Sequence, residues 1–176
     1  SGCKHKVIPD RIEAGTFLIA SAATLSNITI GPVIPKHLES VLEVLKESGS
    51  KIDIKGDEIT INTKEIKAVN IKTAPFPGFP TDLQAPFTAL MTIAKGNSKI
   101  EETIYENRMG HVDLLNKMGA SIQLFDNTAK IQGVNELKGQ NLRGSDLRST
   151  AALIIAALSA KDISYVGGLE HLDRGY

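Results

Sequence analysis

Residues 74–94 read APFPGFPTDLQAPFTALMTIA. The first part is turn chemistry: Pro75, Pro77 and Pro80 fix φ at their positions, and Gly78 lies among them. At Thr81-Asp82 the composition changes, and an apolar, Ala-containing stretch follows with almost no polar face. A helix that is apolar all round belongs inside a protein. Asp82, at its start, has two readings. It is an N-cap, or it is a carboxylate that a stiff loop holds ready for chemistry.

The same shape occurs twice more, in RIEAGTFLIASAAT from Arg11 and DLRSTAALIIAALS from Asp146. A short β-like piece follows each of the three helices: NITIGPV, SKIEETIY and DISYVGG. The first two are continued by amphipathic helices in HLESVLEVLKESGSKIDI and HVDLLNKMGASIQL, where Leu and Val recur at three and four residues. Gly49 and Gly119 stand where a C′ glycine ends a helix. A hairpin pattern comes next in each, KIDIKGDEITIN and SIQLFDNTAKIQG, the second turning at Asp126-Asn127. AVNIKT and NLRGSD are strands leading into the next helix. The pattern predicts one domain over 1–176 with repeat units at about 5–65, 66–136 and 137–176. The third unit stops before its second helix and hairpin. The class is α/β (α+β), with the Ala-rich helices buried and the sheets outside.

Composition narrows the function. Twenty basic residues balance twenty acidic ones, so no general pull toward nucleic acid or anionic lipid is expected. The longest apolar run, 151–158, is too short to span a bilayer. One cysteine, Cys3, cannot form an internal disulfide, which favours a reducing compartment. His5, His37, His111 and His171 are scattered, without ligand spacing for a metal. No Gly-rich phosphate loop is present. The chain begins and ends without a capped element, which predicts a piece of a longer protein. Lys36, His37, Glu39 and Glu43 read as a solvated helix start and face, and Met91, Met109 and Met118 as core filler.

VIPDRIEAGTF, TAPFPGFPTDLQAPF, ETIYENRMGHV, GSDLRSTAALI and HLDRGY, in that order, closely resemble the bacterial UDP-N-acetylglucosamine enolpyruvyl transferases over essentially the whole chain. The resemblance implies a cytoplasmic two-domain transferase. Each domain is an inside-out α/β barrel of βαβαββ units around buried helices. The enzyme moves the enolpyruvyl group of phosphoenolpyruvate to the 3-hydroxyl of UDP-N-acetylglucosamine and releases phosphate, the first committed step of peptidoglycan synthesis. The implied partners are those two substrates and the other domain of the same enzyme, with no cofactor, nucleic acid or membrane. That other domain carries a Pro-Gly-Gly-Cys loop with a reactive cysteine. Cys3, in SGCKHK, does not match it, so these 176 residues alone are expected to be inactive.

The resemblance also singles out residues. Asp82 matches the position that binds the sugar hydroxyl and acts as its base. Arg174, in HLDRGY, matches an arginine that engages phosphoenolpyruvate; its donor fork suits a carboxylate or a phosphate. Asn107-Arg108 holds the same place in the second unit as Asp173-Arg174 in the third. Arg108 faces the interdomain cleft or is a surface arginine. Ile104 matches a position whose backbone contacts the nucleotide sugar. Asp146 and Arg148, at the third helix start, act at the cleft or pair within the domain. Arg11 and Glu13 hold the matching place in the first unit, so the three helix starts are expected to converge. Two rival functions stand beside this one: 5-enolpyruvylshikimate-3-phosphate synthase, with the same donor, and a non-catalytic repeat or ligand-binding module.

Overall fold

Each predicted helix and strand has a counterpart in the computed structural model, which describes residues 2–173. In chain order the elements are α1 (Arg11–Ala23), β1 (Asn27–Ile30), α2 (Glu39–Glu47), β2 (Lys51–Lys55), β3 (Glu58–Asn62), β4 (Ile71–Lys72), α3 (Gln84–Met91), β5 (Asn97–Glu101), α4 (His111–Lys117), β6 (Ser121–Phe125), β7 (Thr128–Gln132), β8 (Asn141–Arg143), α5 (Leu147–Ser159) and β9 (Tyr165–Gly167).

The Ala-rich helices α1, α3 and α5 pack against one another. Every residue of α3 is buried, including Gln84 and Thr88. Those two polar side chains are bonded: Gln84 Nε2 donates to Thr88 Oγ1 at 3.2 Å and to Met109 Sδ at 3.1 Å, and Thr88 Oγ1 donates to the Gln84 carbonyl at 2.9 Å. Phe87, Leu90 and Met91 are removed from water entirely, each contributing on the order of 2 kcal/mol. Gly15 lets α1 approach the start of α3, because a Cβ there would lie 2.4 Å from Leu83 Cδ1.

The sheets lie around this helical centre. β1–β3–β2 is antiparallel, β4–β5–β7–β6 has a parallel β4–β5 pair and is otherwise antiparallel, and β8 pairs with β9 in parallel. Alternation sets which side chains face the helices: Ile59 and Ile61 on β3, and Ala129 and Ile131 on β7, are all buried. The helices are inside and the sheets outside, as the pattern predicts. The sheets do not close into a barrel among the described residues. They stay separate because the edge strands of one sheet have no ladder partner in the next.

The amphipathic helices α2 and α4 each end on a glycine with positive φ, +108° at Gly49 and +91° at Gly119. Each closes a Schellman pair: Gly49 N–H to the Lys46 carbonyl and Ser50 N–H to Leu45, then Gly119 N–H to Asn116 and Ala120 N–H to Leu115. The hairpins follow on two-residue turns, Gly56-Asp57 and Asp126-Asn127. The two caps differ in one respect. A Cβ on Gly49 would sit 2.7 Å from the Glu65 carbonyl oxygen, whereas one on Gly119 meets nothing within 4 Å. Gly119→Ala is therefore expected to cost only the left-handed strain, about 1–2 kcal/mol. Gly49→Ala should cost about 1–3 kcal/mol more through overpacking against backbone. Urea denaturation of the two variants checks the order; equal losses would contradict it.

Candidate active site

Three aspartates stand at the starts of the buried helices, in different roles. Asp10 caps α1, its carboxylate accepting from the Ile12 N–H at 2.7 Å. Asp146 caps α5 in a capping box: Oδ1 accepts from the N–H groups of Arg148 (2.9 Å) and Ser149 (3.1 Å), and Ser149 Oγ accepts from the Asp146 N–H (3.1 Å). Asp82 caps nothing. A 3₁₀ turn, Thr81–Leu83, precedes α3 and places Asp82 inside it, and neither this turn nor α3 has a side-chain cap. The capping reading of Asp82 is thereby corrected: its backbone is already within the turn, so its side chain is free to project elsewhere.

It projects onto two arginines. Asp82 Oδ1 accepts from Arg108 at 3.1 Å and from Arg148 Nε at 2.6 Å, and an Arg148 terminal nitrogen forms an ion pair with it at 2.5 Å. Asp82 Oδ2 has no hydrogen-bond partner among the described residues. The carboxylate is 38% exposed and the arginines 20% and 29%. At that exposure the pairs add on the order of 1 kcal/mol or less to stability. Their effect is geometric: one oxygen is clamped and the other is left open. Arg108 is itself oriented, donating to Thr81 Oγ1 at 3.0 Å and lying 3.7 Å from the centroid of the Tyr105 ring.

The proline loop fixes the turn that carries Asp82. Ala74 N–H bonds the Phe79 carbonyl (3.0 Å), and Gly78 N–H bonds Pro75 (2.8 Å). Phe79 is buried edge-on against Phe87 with centroids 5.4 Å apart. The exposed Phe76 reaches the first unit, where the Arg11 guanidinium lies 5.2 Å from its ring centroid and His37 meets it edge-on. The starts of all three buried helices are thus drawn to one end of the domain. His37, read as part of a solvated face, has this ring contact as well.

Beside the aspartate–arginine cluster is a cavity of about 310 Å³ lined by Arg108, His111, Asp146 and Arg148 with neighbouring loop atoms. Burial would raise the Asp146 carboxyl, but hydrogen bonds from the Ser149 backbone and hydroxyl, the Arg148 N–H and the Ser145 hydroxyl outweigh it and hold the carboxyl below its ordinary value. A larger concavity of about 750 Å³ lies between residues 6–10, α1 and the loop at 30–34, and among the predicted candidates it holds only Glu13. Ile104 lies in the loop ahead of Arg108, its N–H donating to Glu102 Oε1 at 2.8 Å. Arg174 lies outside the described residues. Among the described residues no group of three or more His, Cys, Asp or Glu could hold a metal, and no helix is long and apolar enough to cross a membrane.

Two residues here escaped sequence reasoning. Glu102 is 2% exposed and accepts four hydrogen bonds. The signal was its place two residues after Ile100, on the inward face of a strand pattern, where a carboxylate needs partners. His111 is 1% exposed, and its Nε2 has no hydrogen-bond partner among the described residues. It begins α4, and nothing in its spacing marks it as buried.

A family model described as EPSP synthase (3-phosphoshikimate 1-carboxyvinyltransferase) matches residues 1–176. The chain belongs to the EPSP synthase family. Within this family it is similar to UDP-N-acetylglucosamine 1-carboxyvinyltransferases of Prochlorococcus marinus. It is 71% identical to that of strain MIT 9312 and 74% to that of the subspecies pastoris strain CCMP1986, each over 99% of this chain and 38% of the relative. The chain therefore spans well under half the length of the curated relatives it matches. Among solved structures, the enolpyruvyl transferase NikO from Streptomyces tendae superposes with a TM-score of 0.86 at 29% identity, over 97% of this chain and 41% of that one. EPSP synthase from Acinetobacter baumannii superposes at 0.71 with 17% identity, over 93% of this chain and 40% of that one, a likeness of fold.

His111 gives this EPSP synthase family domain a pH signature. Burial lowers its pKa to about 4 against the ordinary 6.5, with the Asp146 charge pulling weakly the other way. The unfolded chain therefore takes up the proton first as pH falls. The stabilising contribution is complete above pH 6.5 and is lost progressively down to the folded value. By pH 5 the loss is about 2 kcal/mol. Urea melts at pH 7.5 and pH 5 should show it, and His111→Phe should flatten the dependence. A variant with the wild-type pH profile would contradict this assignment.

Proposed function

We propose that this domain supplies the catalytic carboxylate and part of the donor site of a two-domain, cytoplasmic UDP-N-acetylglucosamine enolpyruvyl transferase. That enzyme transfers the enolpyruvyl group of phosphoenolpyruvate to the sugar 3-hydroxyl, with release of phosphate, at the first committed step of peptidoglycan synthesis. The observation that carries the reading is Asp82, gripped on Oδ1 by Arg108 and Arg148 while Oδ2 has no hydrogen-bond partner among the described residues. A hydroxyl needs a base as its oxygen attacks the enolpyruvyl carbon, and a carboxylate held within hydrogen-bond reach can take that proton. The clamp restricts the side chain to one orientation, so the open oxygen is presented rather than left to search.

The arginines have a second use. Phosphoenolpyruvate carries a carboxylate and a phosphate, both suited to a guanidinium fork. Arg108 and Arg148 line the adjacent cavity, so an incoming anion competes with Asp82 for them. Asp146 serves from behind: its carboxylate is spent on the start of α5, which fixes the backbone of Arg148. Arg174, Ile104 and the other domain with its cysteine loop complete the site in this reading. The identity of 71–74% to nucleotide-sugar transferases supports UDP-N-acetylglucosamine over shikimate 3-phosphate as acceptor. A non-catalytic module would have no use for an open carboxylate oxygen between two oriented arginines.

The full-length enzyme carrying Asp82→Asn should lose about 10²–10⁴-fold in kcat, with KM for phosphoenolpyruvate changed far less. Steady-state phosphate release with both substrates measures this. Normal turnover by Asp82→Asn would remove the base assignment, and turnover with shikimate 3-phosphate in place of the nucleotide sugar would reassign the acceptor.

A further inference from the structure

We infer that Glu102 is a positioning residue for Asp82, acting through the Thr81 hydroxyl and through the loop that carries Arg108. The inference rests on the reading of Asp82 as the base.

Glu102 follows β5 and turns its side chain inward. Oε1 accepts from Thr73 Oγ1 (2.9 Å), the Ile104 N–H (2.8 Å) and the Tyr105 N–H (3.2 Å). Oε2 accepts from Thr81 Oγ1 at 2.8 Å. One buried carboxylate thus joins three segments: the end of β4, the turn bearing Asp82, and the loop from 103 to 108. Thr73 reinforces the join, because its hydroxyl accepts from the Thr103 N–H (2.8 Å) and its carbonyl from the Thr103 hydroxyl (2.5 Å). The Thr81 hydroxyl is the hinge of the network. It gives its only proton to Glu102 and so presents a lone pair to Arg108, which donates to it at 3.0 Å. Arg108 in turn grips Asp82 Oδ1. The direction of each hydrogen bond is set by the buried acceptor at the far end.

A buried carboxylate is costly unless its lone pairs are met, and a fold that needed only a strand end here could use an apolar residue. All four partners of Glu102 are donors. Two of them are backbone N–H groups, which cannot reverse. An amide at this position would therefore keep its oxygen toward Ile104 and Tyr105 and turn its NH₂ toward Thr81. The Thr81 hydroxyl would become the acceptor, its proton would swing away, and the lone pair offered to Arg108 would be contested. Glu102→Gln is close to isosteric, so the disturbance falls on the orientation of Arg108 and Asp82.

The test is a double-mutant cycle in the full-length enzyme, with thermal melting as a control for folding. Glu102→Gln is expected to lower kcat about tenfold or more. In the Asp82→Asn background the same change should lower kcat less than about twofold, because the residue it positions is already disabled. Thr81→Val should reproduce the Glu102→Gln loss, and Thr81→Ser, which retains the hydroxyl, should restore it. The Thr81 pair carries the test if Glu102→Gln fails to fold. Losses that multiply in the double variant, or a Thr81→Val enzyme with wild-type kcat, would overturn the inference while leaving Asp82 as base. Full activity in Asp82→Asn alone would overturn both.

Discussion

All eight residues of α3 are buried, so this helix has no face to turn to water. That constraint organises the domain. A helix of this kind must be covered on every side, and α1 and α5 cover it together with the inward faces of the sheets. Sheets placed outside helices bury one face each and leave the other to solvent, which suits the alternating patterns of β3 and β7. Packing the three helices together also brings their first turns together. Asp82 and Arg148 are 66 positions apart in sequence, yet they meet because each stands at the start of a buried helix.

The carboxylates at this end of the domain show how surroundings assign roles to one functional group. Asp10 and Asp146 each spend Oδ1 on backbone N–H groups at a helix start. Glu102 accepts four hydrogen bonds, from two hydroxyls and two backbone amides. Asp82 differs because the 3₁₀ turn carries it past the cap position, and its Oδ1 goes to two arginines instead of to backbone N–H groups. The same logic separates the arginines: Arg148 has its backbone held by the Asp146 cap, while Arg108 depends on Thr81 and the Tyr105 ring.

Much of the architecture was legible in the sequence because the signals are local. The Schellman glycines, the two-residue turns and the apolar helices are set within a few residues of themselves, and all appear in the structure. Closure of the sheets was not legible in this way, since it depends on partners for edge strands, and the described sheets remain separate. At the site, Asp82, Arg108 and Arg148 were picked out by their motifs, and the structure brings them within hydrogen-bond distance. Glu102 and His111 were missed because burial of a polar residue is a property of what packs over it.

By itself the sequence determined the order of helices and strands, the burial of the Ala-rich helices and the turns between them. It also marked Asp82 as standing at a helix start, with the choice between cap and reactive group open. Periodicity and backbone preference act over one or two turns of chain, so no long-range partner was needed for those conclusions. Only the tertiary structure decided that Asp82 is not a cap, that one of its oxygens is held by two arginines from later segments, and that a buried Glu102 ties its turn to the loop of Arg108. The reason is distance: a hydrogen bond or ion pair exists only where folding brings donor and acceptor within about 3 Å, and the spacing of residues along the chain does not contain that information.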